Sequence, residues 1–265
     1  MAEITAPALH FEVHAGNGPF LLLVHGILSS RAQWLLNIDA LAQVSQPVVV
    51  ELFGHGRSTS PEDPGAYTPA SYVDQFERVR ESVGAERWLI CGQSLGAALT
   101  LRYALDFPER IIAQVFTNSN SALASDGWSE SVRPAMEKQA RELEADGRGV
   151  LDRHPLNPTR SRRLPDAVRD AFLHDVALLD PAGVARTGLY TVPDSSMRNR
   201  IASNRVPSLL IAGERETRFA PQRQFVEEAM PMLRVVGLDG GHAVNLDQPE
   251  QFNSAVCEFI REQVR

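Results

Sequence analysis

The stretch Arg87 to Leu105, RWLICGQSLGAALTLRYAL, decides how the rest of the chain is read. An apolar run, RWLI, leads in, and an Ala- and Leu-rich helix former leads out. Between them two glycines, Gly92 and Gly96, flank Gln93, Ser94 and Leu95 in the form G-x-S-x-G. Such a junction sacrifices packing and backbone entropy to put one serine on a sharp strand-to-helix turn, with its hydroxyl clear of the sheet edge. The two glycines remove side chains that would block closure of the turn. The helix that follows aims its free N–H groups at any negative charge forming there.

Outward from this turn the chain alternates between strand and helix patterns. Upstream stand LHFEVH (9–14), the turn GNGP (16–19), the continuous apolar run FLLLVHG (20–26), a helical pattern over 31–43, and PVVVEL (47–52). A helix at 69–83 and a strand at 86–91 bring the chain to the turn. The helix at 95–106 and a strand at 111–117, IIAQVFT, follow it. Between 119 and 205 no strand pattern occurs, and two amphipathic stripes take over. One is Val132, Ala135, Met136, Ala140 and Leu143; the other is Val168, Ala171, Phe172 and Leu179. Both read as packing within a helical layer rather than as a lipid-binding surface. Alternation resumes with SLLIAG (208–213), a helix near 221–230, LRVVGL (233–238) and a last helix at about 248–264. Apolar strands separated by helices of this length predict a mostly parallel sheet, an α/β fold, with right-handed crossovers. The expected organisation is a core of 1–118 and 206–265 interrupted by a helical cap at 119–205, over the strand ends where such sheets bind ligands.

Composition narrows the partners. The chain has 265 residues, 43% hydrophobic and 22% charged, with a formal net charge of −7. An acidic chain is a poor match for nucleic acid or an anionic membrane surface, and none of its apolar runs is long enough to span a bilayer. The first residues lack a basic start followed by an apolar stretch, so a cytoplasmic location is expected. Two cysteines, Cys91 and Cys257, read as buried thiols rather than a disulfide. There is no H-E-x-x-H, no paired C-x-x-C and no G-x-x-x-x-G-K-[ST], and GNG (16–18) and GHG (54–56) are too short for a dinucleotide fingerprint. No metal and no organic cofactor is implied, and the expected partner is a small ester-like molecule. Oligomeric state stays open.

A serine hydroxyl needs a base, and the base needs an acid to orient it. His242, after LDGG at the end of the last strand pattern, is the base candidate. The acid belongs between the two in chain order. Glu214 and Glu216 both follow SLLIAG, with Glu216 deeper in the loop. The oxyanion donors expected are the Leu95 amide and, in the loop after LLLVHG, the Ile27 amide. His25 reads as a structural tie for that loop. Arg153, Arg160, Arg162 and Arg163 in the cap raise the possibility of an anionic substrate group; a solvated basic surface explains them more simply.

These residues resemble the α/β-hydrolase superfamily over nearly the whole chain. LLLVHGILSS is similar to its oxyanion-loop strand, GHGRS to the loop after the next strand, GQSLG to its nucleophile elbow, and GGHAVNLDQPEQF to its histidine loop and closing helix. The resemblance implies a triad of Ser94, Glu216 and His242. It also implies a serine hydrolase cleaving a small or medium carboxylic ester through an acyl-enzyme. Two departures stand out. Glu216 occupies the place of the usual Asp, and Glu51 ends a strand that often closes with Asp. Where members instead take the acid from the preceding strand's end, this chain has Asn118, with Asp126 further on. A serine at the elbow excludes relatives that need Asp there, such as epoxide hydrolases. Carbon–carbon bond hydrolysis or lyase chemistry on the same triad, and a non-catalytic ligand-binding protein of this fold, are the alternatives.

Overall fold

The computed structural model describes residues 8–154, 157 and 164–264. Seven strands form one sheet in the order β1-β3-β2-β4-β5-β6-β7: β1 (Phe11–Val13), β2 (Phe20–Val24), β3 (Gln46–Val50), β4 (Trp88–Gly92), β5 (Ile111–Thr117), β6 (Ser208–Gly213) and β7 (Leu233–Leu238). Every neighbouring pair is parallel except β1 with β3, which is antiparallel. The turn at 16–19 therefore does not close a hairpin, because β3 lies between β1 and β2.

The strand sequences are apolar throughout because both faces are covered. On β2, Leu22 and Val24 face one helical layer, while Leu21 and Leu23 face the other. The first layer holds α2 (Pro69–Ser82) and α3 (Leu95–Asp106), with Phe76, Leu99 and Tyr103 packed on the sheet. The second holds the short α1 (Ile38–Leu41) and the last helix, through Phe252, Val256, Phe259 and Ile260. Each such side chain, fully buried, contributes about 1.5–3 kcal/mol. Cys91 and Cys257 are free and buried, and burial raises both thiol pKa values.

The helix expected over 31–43 is broken into a 3-10 turn, Arg31–Trp34, and the single turn of α1. Side chains compete with the helix backbone here. Ser30 Oγ accepts from the Ala32 amide and donates to Asp175, and the Asn37 amide group bonds Asn245 and Asn253 of the C-terminal segment. The apolar spacing of the segment was real, but its polar residues are committed to distant partners.

Between β5 and β6 lie only helices among the described residues: α4 (Trp128–Ala145), α5 (Gly147–Arg153), α6 (Asp166–Val176), α7 (Pro181–Arg186), a π-type turn (Thr187–Thr191) and a 3-10 turn (Arg198–Ser203). Val168 and Phe172 are buried and Ala171 half-buried, whereas Ala135 of the first stripe faces solvent. The helical layer is tied to the sheet's C-terminal side at the loop after β3. The Asp180 amide donates to the Gly54 carbonyl at 3.0 Å, and Gly183 approaches Gly54 so closely that a Cβ there would stand 2.5 Å from its Cα. After β6 come α8 (Ala220–Ala229), then α9 (Val244–Asp247) and α10 (Pro249–Gln263) behind β7.

Candidate active site

The site starts from backbone geometry. Ser94 sits at φ 54°, ψ −116°, a conformation rarely held by a residue with a side chain. Its neighbours explain how it is held there. A Cβ on Gly92 would lie 2.4 Å from the Gly96 carbonyl oxygen, and one on Gly96 would lie 2.2 Å from that of Val24. The two glycines thus let α3 close over β4 and press against the end of β2. The Gln93 amide donates to the Val24 carbonyl at 3.0 Å, and the Gly96 amide to the Gln93 carbonyl at 2.8 Å.

His242 arrives on the loop between β7 and α9. Gly213, closing β6, has no room for a Cβ, which would meet the Gly241 oxygen at 2.0 Å. Asp247 accepts from the Gly241 amide at 2.6 Å, and Gln93 Nε2 donates to the His242 carbonyl at 3.1 Å. The imidazole is held between the elbow and the end of β6. Its Nε2 lies 2.8 Å from Ser94 Oγ and its Nδ1 2.9 Å from Glu216 Oε2. An ionised carboxylate only accepts, so Nδ1 carries the proton and Nε2 accepts from the serine hydroxyl.

Glu216 has a pKa below the ordinary carboxylate value. Burial raises it, but hydrogen bonds from His242, Asn118 and Asn120 together with the His242 interaction outweigh that cost. The other acids lie elsewhere: Glu214 turns to Arg223, and Asp126 accepts from Asn199 at the surface. Asn118 and Asn120 were not legible as site residues. Asn118 entered the sequence argument only as a position without charge, and Asn120 carried no signal at all.

Around the elbow, the loop after β2 is braced by two buried histidines. Gly26 lies against the elbow, since a Cβ there would stand 2.4 Å from Gln93 Oε1 and 3.0 Å from Ser94 Cβ. His25 Nδ1 donates to the Gly26 carbonyl at 2.7 Å, and its Nε2 accepts from the Leu52 amide. Leu28, at φ 60°, donates its amide to His55 Nε2 at 3.1 Å. Desolvation lowers the His25 pKa to about 4 and the His55 pKa to about 3, so both rings are neutral ties. Among the described residues, the Ile27 amide and the Leu95 amide at the first position of α3 have no acceptor. Arg153 pairs with Asp146 on the surface; Arg160, Arg162 and Arg163 lie outside the described residues. No group of three or more His, Cys, Asp or Glu among the described residues is placed to hold a metal ion, and no described helix is long and apolar enough to cross a membrane.

A family model described as alpha/beta hydrolase fold matches residues 19–249. The chain belongs to this family. Among curated α/β-hydrolase relatives it is similar to a pimeloyl-[acyl-carrier protein] methyl ester esterase of Xanthomonas campestris, 29% identical over 95% of this chain and 98% of the relative. It is also similar to a putative 2-succinyl-6-hydroxy-2,4-cyclohexadiene-1-carboxylate synthase of Bacillus subtilis, 25% identical over 91% and 89% of the two chains. Among solved α/β-hydrolase structures, MenH from S. aureus superposes with a TM-score of 0.85 over 97% of this chain and 99% of that one; at 17% identity it shows the fold alone. Relatives named as esterases and hydrolases support a hydrolase activity for the chain.

Proposed function

We propose that the protein is a serine hydrolase that cleaves a small or medium carboxylic ester through an acyl-enzyme. The observation that carries this reading is the unbroken line Ser94 Oγ–His242–Glu216, with contacts of 2.8 and 2.9 Å, beginning on a strained serine. Ser94 Oγ attacks the ester carbonyl while His242 Nε2 takes its proton, and the imidazolium returns that proton to the leaving alcohol. Glu216 keeps the imidazole in the required tautomer and balances its charge. In this reading the Ile27 and Leu95 amides, without acceptors among the described residues, donate to the oxyanion. Water then repeats the sequence and releases the acid. Every group this mechanism requires is a side chain or amide of the chain itself. The described helices between β5 and β6, tethered through Gly54, serve in this reading as a cap that shapes the acyl pocket.

The test is turnover of a short p-nitrophenyl ester by the wild type beside Ser94→Ala. The substitution is expected to lower kcat by about 10⁶; equal turnover by both proteins would end the proposal. A second reading has one specific support, the relative named as a synthase of a cyclohexadiene carboxylate. Proton abstraction by the same dyad, without an acyl-enzyme, would serve an elimination. A wild type that is inert on a panel of esters but turns over a substrate poised for elimination would favour it.

A further inference from the structure

We infer that Asn118, assisted by Asn120, is a positioning residue that fixes which oxygen of Glu216 meets the imidazole while leaving the carboxylate's charge unneutralised. The inference rests on the hydrolase reading for its kinetic consequences, but its geometry stands on the side chains alone. Glutamate carries one more rotatable bond than the aspartate usual at this place, so its carboxylate needs more restraint to stay on one acceptor line. The restraint comes from another strand. Asn118 follows β5, and its carboxamide is locked by Gly213 of β6: Oδ1 accepts from the Gly213 amide at 3.1 Å, and Nδ2 donates to the Gly213 carbonyl at 3.0 Å.

That lock decides the orientation of the amide. The Gly213 N–H can be met only by Oδ1, so Nδ2 must face Glu216, where it donates to Oε2 at 2.9 Å. Oε2 is the oxygen that also receives His242 Nδ1. Asn120 Nδ2 occupies the other oxygen, Oε1, at 3.1 Å. Both carboxylate oxygens are therefore held, and rotation about the last torsion would break three bonds at once.

The loop bearing Asn120 is fixed in turn from the far end of the helical layer. Met197 donates its amide to the Ala122 carbonyl at 2.7 Å, Ser196 Oγ donates to the Ala124 carbonyl at 2.8 Å, and Arg198 donates to the Leu123 carbonyl at 3.0 Å. Among the described residues, the donors to Glu216 other than His242 are neutral. A cationic donor in their place would cancel the field that stabilises the imidazolium.

The experiment compares wild type, Asn118→Ala and Asn120→Ala in two ways. One is the downfield proton resonance of the His242 Nδ1–H···Glu216 bond, identified by its loss in His242→Gln. The other is kcat and KM on a p-nitrophenyl ester. Neither asparagine side chain hydrogen-bonds the serine or histidine among the described residues, so KM is expected to stay within about twofold while kcat falls about 10- to 100-fold in Asn118→Ala and less in Asn120→Ala. The resonance should broaden or move upfield in both. If Asn118→Ala fails to fold, Asn120→Ala carries the test, because among the described residues its side chain bonds only Glu216. A resonance altered in the variants of a wild type that cleaves no ester would sink the hydrolase reading and keep this one. Ester turnover and resonance unchanged in both variants, beside an inactive Ser94→Ala, would overturn this one and keep the hydrolase.

Discussion

Two clusters of histidine and glutamate stand at the C-terminal ends of the parallel strands, built from the same residue types and put to different ends. In one, His242 and Glu216 are partly open to solvent, with side chains 33% and 16% exposed. In the other, His25, His55 and Glu51 are sealed completely, the two rings 5.3 Å apart. Glu51 is met by the Arg57 amide at 2.7 Å and by the Arg57 guanidinium, which reaches on to buried Asp175 of α6. Its charge is cancelled by a cation, and its work is to hold the loop that seats His55. Among the described residues Glu216 has only neutral donors beside its histidine, so its charge remains available when the imidazole becomes positive. The lesson is that the partners of a buried carboxylate, more than its burial, decide whether it serves folding or chemistry.

The largest effect that would sharpen this contrast is chemical. Glu216→Gln keeps the shape and removes the charge, and kcat is expected to fall about 10⁴-fold, beside a modest drop in the urea midpoint from the lost carboxylate interactions. Activity within tenfold of wild type would break the comparison and move the acid's role elsewhere. Glu51→Gln should behave in the opposite sense. It leaves Arg57 partly unpaired and turns one of two accepting oxygens into a donor that faces other donors, costing about 3 kcal/mol of stability in urea titration. A loss of kcat in the folded fraction as deep as that of Glu216→Gln would erase the distinction.

Acid titration separates the clusters by pH. His25 and His55 have folded pKa values of about 4 and about 3, below the ordinary 6.5, so between those limits the unfolded chain binds more protons. Stability is then full above about pH 6.5 and falls as pH drops, by on the order of a few kcal/mol by pH 4.5. Glu216, with its lowered pKa, adds stability that is present above 4.5 and lost as pH falls below it. Chemical denaturation at stepped pH should therefore give parallel curves for wild type and Glu216→Gln down to about pH 4.5. Below that the variant should fall less steeply. Divergence already at pH 6 would show that the sealed histidines are not what the acid limb reports. The smallest effect is the solvent-exposed control. Arg133 and Asp194 pair at 2.7 Å, but both side chains are about half exposed. Arg133→Ala is expected to cost under about 1 kcal/mol, measured in the same titration.

How much of this was readable beforehand follows from how local each cause is. The elbow is legible because its requirements fall within five residues: Gly92 and Gly96 must lack side chains for closure against the strand ends, and no other residue can substitute. The strand pattern is legible because burial on both faces forces continuous apolar runs. The 31–43 segment misled because Ser30 and Asn37 find partners 145 and more than 200 residues away, which no local period reveals. The residue pattern left Glu214 beside Glu216, and it was the family resemblance that pointed to Glu216, the carboxylate that meets His242. The donors that draw Glu216 inward come from residues 96 and 98 positions earlier.

By itself, then, the sequence determined the alternating architecture, the strained serine and the chain order of base and candidate acids. Those follow from side-chain volume, periodicity and glycine placement, which act between near neighbours. Only the tertiary structure decided which carboxylate meets the imidazole, what holds it there, and which histidines are sealed as neutral ties. Hydrogen-bond geometry and desolvation depend on groups brought together by the sheet from opposite ends of the chain, and those distances exist only once it has folded.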